Sequence, residues 1–386
     1  LSAKHRVQLS QNQGEFSRFK KLSIALRNRH KNNKNNGFRS INFSPNGLYI
    51  ATVGLNSCVS INFSPNGLYI ATVGLNSWVT IWNLSEPNEH PLSLKSRNCA
   101  YNSFKSASFS PDGQCLVSGG KDGVVRLWNL AGQQLAEFKG HLGAVYSVSF
   151  SPDGQCLVSG GKDGVVRLWN LAGQQLTECK GHLGTVYSVS FSPDGQHLVS
   201  GGKDGVVRLW NLAGQQLAEF KGHLGTVYSV SFSPDGQHLA TAGKDDTALL
   251  WDLSGKQIAS LQGHQGWIWN VSFSPDRQRI ATAGVDGTVR LWDVLGRQIA
   301  QFGIDISQPD KSTLMSASFS PDGQFLATAG ENNTVKLWQV EGLDQLLEKG
   351  CDWLRLYLNN PKANLSESVR QICLCDDIGN EISTQT

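Results

Sequence analysis

Four times along this 386-residue chain a histidine is followed, at fixed distances, by a hydroxyl residue, an aspartate and a tryptophan. The sets are His141, Ser159, Asp163, Trp169; His182, Ser200, Asp204, Trp210; His223, Thr241, Asp245, Trp251; and His264, Thr282, Asp286, Trp292, the later members standing 18, 22 and 28 residues beyond the histidine. Serine, histidine and aspartate are the parts of a hydrolytic triad, in which imidazole takes the hydroxyl proton and the carboxylate orients the ring. A triad, however, is built once, in one pocket, and this set recurs in copy after copy. Recurrence assigns the groups to structure. Other chemistry finds no residues to carry it: there is no Walker loop, no paired metal-ligand spacing and no calcium loop, and Cys373-x-Cys375 lacks a partner pair. The expectation is a chain with no metal, no cofactor, no small-molecule substrate and no enzymatic activity, with a hydrolase as the weakest alternative.

The elements that hold these residues repeat with them. Ser-Pro-Asp-Gly begins at Ser110, Ser151, Ser192 and Ser233, with Ser-Pro-Asp-Arg at Ser274, each 41 residues after the last; further copies begin at Ser320 and, as Ser-Pro-Asn-Gly, at Ser44 and Ser64. Trp82, Trp128, Trp169, Trp210, Trp251, Trp292 and Trp338 run in phase with them. One period, 141–181, reads as four short strands. Val145 to Phe150 alternates in the two-residue period of a half-buried strand, Ser151 to Gly154 is a tight turn, Leu157 to Gly160 is a second strand, Val165 to Leu171 a third, and Gln175 to Lys180 a fourth. A long open sheet would twist and leave exposed edges, whereas radial closure leaves only short ones. Seven markers therefore predict an all-β, seven-bladed propeller of four-stranded antiparallel blades. The 41 glycines and single methionine agree with a turn-rich β protein.

The Gly-His, the Ser-Pro-Asp-Gly turn, the Asp turn and the Trp-Asp or Trp-Asn pair resemble those of WD-repeat (WD-40) proteins over roughly residues 22–340. The resemblance implies that each set forms an internal hydrogen-bond network from Asp through His and Ser or Thr to the indole. It implies partner binding on the face carrying the Asp turns and Gly-His loops. Three blades depart from the pattern: Ala100 stands at the His position before Trp128, Asp310 before Trp338 (with Thr328 and Asn332), and a degenerate Arg29-His30 lies upstream of Thr72, Asn76 and Trp82. These blades are expected to be the least stable. Arg126, Arg167, Arg208 and Arg290, with Lys336, precede their tryptophans by two residues, which predicts cation–π packing. Cys115, Cys156, His197, His238 and Arg279 share one repeat position, which reads as solvent-facing.

The propeller is expected over 40–340. Residues 40–59 and 60–79 are nearly the same unit, too short for a blade, so either an extra hairpin is extruded or the unit is a recent duplication; the second copy leads directly into Trp82 and should belong to the first blade. The WD-repeat resemblance implies that an N-terminal strand closes the last blade, and within 1–39 residues 23–27, which resemble 257–261, are the candidate; 31–36 reads as a polar loop. After Val340 a leucine spacing of three to four predicts a helical tail over 341–386. This tail resembles that of cyanobacterial WD-repeat regulatory proteins, many of which carry the propeller behind a signalling NTPase, kinase or protease-like domain. No methionine opens the chain, so a piece of a longer polypeptide is expected.

The face carrying the Asp turns places Lys121, Lys162, Lys203 and Lys244 just before each Asp, with Val285 in the next copy. Tyr146, Tyr187, Tyr228 and Trp269 stand five residues after each His, and Trp267 three after His264. Cationic and aromatic side chains together resemble an interface centre, and the expected partner is an acidic peptide or protein surface anchored on Trp267 and Trp269. Alternatively the tyrosines pack the inner strands. Net charge is only +3, so nucleic acid on the lysine face is the weaker reading. No run of 18 apolar residues exists, no export signal is evident, and eight cysteines do not make a disulfide scaffold, so a reducing cytoplasmic setting and no membrane are expected.

Overall fold

The computed structural model describes residues 38–43, 50–54, 58–66, 68–74, 78–83, 92–95, 104–303, 313–330 and 335–340. The chain divides into two compact units, Leu1–Trp338 and Gln339–Thr386; Gln339 and Val340 are the described residues of the second.

Every regular element among the described residues is a strand, and each repeat folds as an antiparallel meander. In blade three, Val145–Phe150, Cys156–Gly161, Val165–Asn170 and Gln175–Lys180 pair in chain order. Blades one to six are four-stranded, and blade seven has three described strands, Leu314–Phe319, Phe325–Gly330 and Val335–Gln339. The fold is a seven-bladed β-propeller. The tryptophan of each intact blade lies in the third strand and packs into the space between its own sheet and the preceding one. One core layer, for example, joins Val117, Val125, Leu127 and Phe138 of blade two to Val145, Val148, Phe150, Leu157 and Trp169 of blade three. Phe138 meets the Trp169 ring edge-on at 5.8 Å.

The first strands carry a β-bulge, which the simple alternation of Val145 to Phe150 does not anticipate. Pairing slips between Val145 and Ser147, between Val186 and Ser188, between Val227 and Ser229 and between Ile268 and Asn270. A bulge leaves one residue out of the ladder and re-aims its side chain. Here those residues are Tyr146, Tyr187, Tyr228 and Trp269. Beyond the bulge, Ser147 Oγ accepts from Val189 N–H of the next blade at 3.1 Å, and Ser188 and Ser229 accept in the same way from Val230 and Val271 at 3.3 Å. Neighbouring blades are thus linked through their inner strands.

The duplicated unit is built in. Phe38–Phe43 pairs with Ile50–Gly54 as a separate two-stranded sheet in the same register that Cys58–Phe63 and Tyr69–Gly74 use in blade one. Its first strand packs against the first strands of both blade seven and blade one, so this half-blade occupies the seam of the ring. The second copy pairs onward with Trp78–Asn83. The candidate closing strand 23–27, the polar loop 31–36, the tail 341–386, and Arg29, His30, Asn76, Ala100, Asp310 and Asn332 lie outside the described residues.

Two expectations are corrected. Among the described residues no arginine before a tryptophan stacks on an indole: Arg126, Arg167 and Arg208 form buried ion pairs, Arg290 donates to Gln298 at 2.7 Å, and the side chain of Lys336 lies outside the described ones. Arg126 Nη2 lies 2.5 Å from Asp122, and Arg167 and Arg208 bridge Asp163 and Asp204 on their own blade to Glu178 and Glu219 across the strand. Cross-strand register sets Arg167 directly opposite Glu178, a pairing that the one-strand pattern could not show. The repeat position of Cys115, Cys156, His197, His238 and Arg279 is half-buried rather than solvent-facing, because its side chain leans on the neighbouring core layer.

Candidate functional site

The four recurring sets come together as continuous relays. In blade three, Trp169 Nε1–H donates to Ser159 Oγ at 2.8 Å, Ser159 Oγ and His141 Nε2 are 2.8 Å apart, and His141 Nδ1 is 2.9 Å from Asp163 Oδ1. An unprotonated Nδ1 would face the carboxylate lone pair to lone pair, so Nδ1 carries the proton and Nε2 accepts from the serine hydroxyl. Arg167 Nη1 lies 2.7 Å from His141 Nδ1 as well, and its proton goes to Asp163 Oδ2, also at 2.7 Å. The imidazole is neutral: burial pushes the His141 pKa down, outweighing the upward pull of Asp163. Burial alone would raise the Asp163 carboxyl, but hydrogen bonds from His141, Arg167 and the Leu142 N–H hold it at about 2. Asp204 and Asp286 are likewise held well below the usual carboxylate range by their histidines, against the opposing effect of burial.

The relay repeats through His182, Ser200, Asp204 and Trp210, then through His223, Thr241, Asp245 and Trp251, and again through His264, Thr282, Asp286 and Trp292, with each indole donating at 2.8–2.9 Å. Every proton on the line is used, and the hydroxyl is fully buried in each blade. A serine whose oxygen accepts from an indole and cannot meet solvent is no nucleophile for an outside substrate. Among the described residues no group of His, Cys, Asp and Glu is arranged to hold a metal ion.

What the relay does is pin the loop before each first strand to the turn between the second and third. That brings a second group of residues to one end of the blades. The bulged Tyr146 meets Tyr187 edge-on at 5.2 Å, Tyr187 meets Tyr228 at 5.6 Å, and Tyr228 lies 4.5 Å from Trp269 and 6.1 Å from Trp267. Trp267 and Trp269 are 5.8 Å apart. The rings form one continuous wall across four blades, so the tyrosines pack on each other and remain half-exposed. Burial raises the Tyr187 and Tyr228 phenols, and each neighbouring tyrosine adds to the effect. Lys121, Lys162, Lys203 and Lys244 are exposed at the turns beside this wall, and Lys244 Nζ sits 4.6 Å above the Trp267 ring.

Relays, turns and tryptophans in this order carry a family signature. The family model of the WD domain, G-beta repeat, matches seven times, over residues 55–83, 96–129, 132–170, 173–211, 214–252, 255–293 and 306–339. The chain belongs to the WD40 repeat family. No curated protein shows significant similarity to it. WD40 repeats mark a protein-interaction or scaffold module, and the family is in general non-enzymatic.

Within this WD40 propeller the structure also displays residues that sequence reasoning passed over. Leu142, Leu183 and Leu224 follow the relay histidines and stand almost free of the protein surface, at 86, 89 and 96 % exposure. Their recurrence in the Gly-His-Leu-Gly loop was the available signal. In blade two Arg126 binds Asp122 through both terminal nitrogens, and Trp128 donates to Ser118 at 2.8 Å.

Proposed function

We propose that this WD40 chain is a non-catalytic recognition module of a larger bacterial signalling or regulatory protein, acting in the cytoplasm, and that it binds an acidic peptide or protein surface on the face bearing Lys121, Lys162, Lys203 and Lys244. The observation that carries the reading is a contrast between two sets of lysines. At the outer strands Lys139, Lys180 and Lys221 each pair with a glutamate on their own strand, Glu137, Glu178 and Glu219, at 3.1, 2.7 and 2.6 Å. Among the described residues Lys121, Lys162, Lys203 and Lys244 have no carboxylate partner. Four unneutralised cations beside an aromatic wall attract carboxylates, and rigid aromatic surface supplies the contact area that ion pairs alone lack. Trp267, 38 % exposed, and Trp269 are the anchors. The free, half-buried or buried thiols of Cys115, Cys156 and Cys179 support a reducing compartment.

Charge reversal at Lys162, Lys203 and Lys244 tests it. Binding of polyglutamate, followed by fluorescence anisotropy, should vanish while the circular dichroism and melting temperature stay unchanged. Undiminished affinity would remove the proposal. A parallel titration with single-stranded DNA should show weaker binding, and tighter binding with a steep salt slope would instead favour nucleic acid.

A further inference from the structure

The position after each relay histidine serves the fold through its backbone alone. The N–H groups of Leu142, Leu183 and Leu224 donate to Asp163, Asp204 and Asp245 at 3.1, 3.1 and 2.8 Å. In blade six Gln265 makes the same bond to Asp286 at 3.0 Å. Any side chain satisfies that requirement, yet three adjacent blades place leucine there, nearly bare. Each leucine is followed by a glycine, Gly143, Gly184 or Gly225, and a Cβ on it would lie 3.2–3.4 Å from the Cβ of Lys162, Lys203 or Lys244. Leucine and lysine therefore stand side by side in every one of these blades. The series stops at blade six, where Gln265 and Val285 replace the pair and the aromatic wall ends in Trp267 and Trp269.

We propose that these three leucine–lysine stations form one arc, over blades three, four and five, that holds an extended acidic segment in which apolar residues recur, its end resting against Trp267. The proposal rests on the acidic-partner reading above and adds the sequence class of the ligand. The cations select carboxylates, and the leucines require an apolar side chain beside them at each station. Sheets packed face to face lie about 10 Å apart, and an extended chain advances about 3.3 Å per residue, so successive stations are about three residues apart or slightly more where the blades fan out. Side chains of an extended chain alternate faces, so a ligand with a leucine at every fourth position and glutamates between keeps its leucines on one side and meets the three stations in register.

The probes are a fluorescein-labelled peptide of three Leu-Glu-Glu-Glu units and polyglutamate of the same length, each titrated with the full chain. Leu142→Ser, Leu183→Ser and Leu224→Ser should each weaken peptide binding about tenfold, the effect of losing about 1.4 kcal/mol. The triple variant should bind the peptide no better than it binds polyglutamate, and polyglutamate affinity should be the same for all. Because the leucines are exposed, these variants fold as the parent does, which the melting temperature checks. If polyglutamate binds and the serine variants hold the peptide as tightly as the parent, the arc is wrong and the acidic-partner reading stands. A single leucine carrying the whole effect also overturns the arc. If neither probe binds, both readings fall together.

Discussion

The buried hydroxyl is the centre of each relay, because it alone touches both rings. Ser159→Ala removes the acceptor of the Trp169 N–H and the donor to His141 Nε2 at once, in a place water cannot reach. The expected loss is about 1–3 kcal/mol for each group left unpaired, read as a fall in the urea midpoint. Ser159→Thr keeps the hydroxyl and should cost far less, since Thr241 and Thr282 do the same work in blades five and six. Equal losses in the two variants would show that the relay contributes nothing beyond packing. The same groups set the response to acid. Burial depresses the His141 pKa below 6.5, so the unfolded chain binds this proton first and stability falls as pH drops below that value. A second decline follows from the carboxylates, whose stabilisation is complete above 3.8 and is lost as pH falls towards about 2 for Asp163. The urea midpoint should therefore fall between pH 7 and 5 and fall again below 4. A flat profile down to pH 4 would contradict a neutral buried imidazole.

At the level of turns and strands, much was legible and some was not. Each Ser-Pro-Asp-Gly closes as its residues dictate: Ser151 O accepts from Gly154 N–H at 2.9 Å, Asp153 caps the turn, and Gly154 takes φ of 72°. The same position in blade six is Arg277, held at φ 65°. A side chain in the left-handed region costs roughly 1–2 kcal/mol, which glycine escapes. Its contact to Asp235, 3.7 Å long and exposed, offsets little of this. Arg277→Gly is expected to raise stability by about 1 kcal/mol in thermal unfolding, and a destabilised variant would mean that this turn is not strained. The bulges were hidden for a different reason. Val145 to Phe150 alternates well enough to pass for a regular strand, and only the pairing with Gly160 and Gly161 shows Tyr146 stepping out of register. The ion pairs of Arg126, Arg167 and Arg208 with Glu137, Glu178 and Glu219 escaped likewise, because a partner on the next strand is a matter of register and not of spacing along the chain; those with Asp122, Asp163 and Asp204 lie at a fixed spacing of four and were legible.

For the ring as a whole, the number of blades followed from seven tryptophans in phase, and the relay residues could be named because they recur. The fate of the duplicated 20 residues could not be read from the sequence, since extrusion and insertion leave the same string. The structure seats Phe38–Phe43 and Ile50–Gly54 at the seam, between blade seven and blade one. Among the described residues this half-blade has two strands, since Trp78–Asn83 is paired with the second copy. Deleting residues 40–59 tests whether the ring needs it. The deletion joins Arg39 to Ser60 and so regenerates Phe-Arg-Ser-Ile-Asn-Phe, the strand that now faces blade seven, as the first strand of blade one. Blade seven then meets an unchanged strand, this time backed by a complete four-stranded blade. The expected result is a single cooperative transition at a melting temperature no lower than the parent's, with slower amide exchange in blade one. A melting temperature lowered by more than about 4 °C, which for a chain of this size is over 1 kcal/mol, would mean that the half-blade is a spacer on which closure depends.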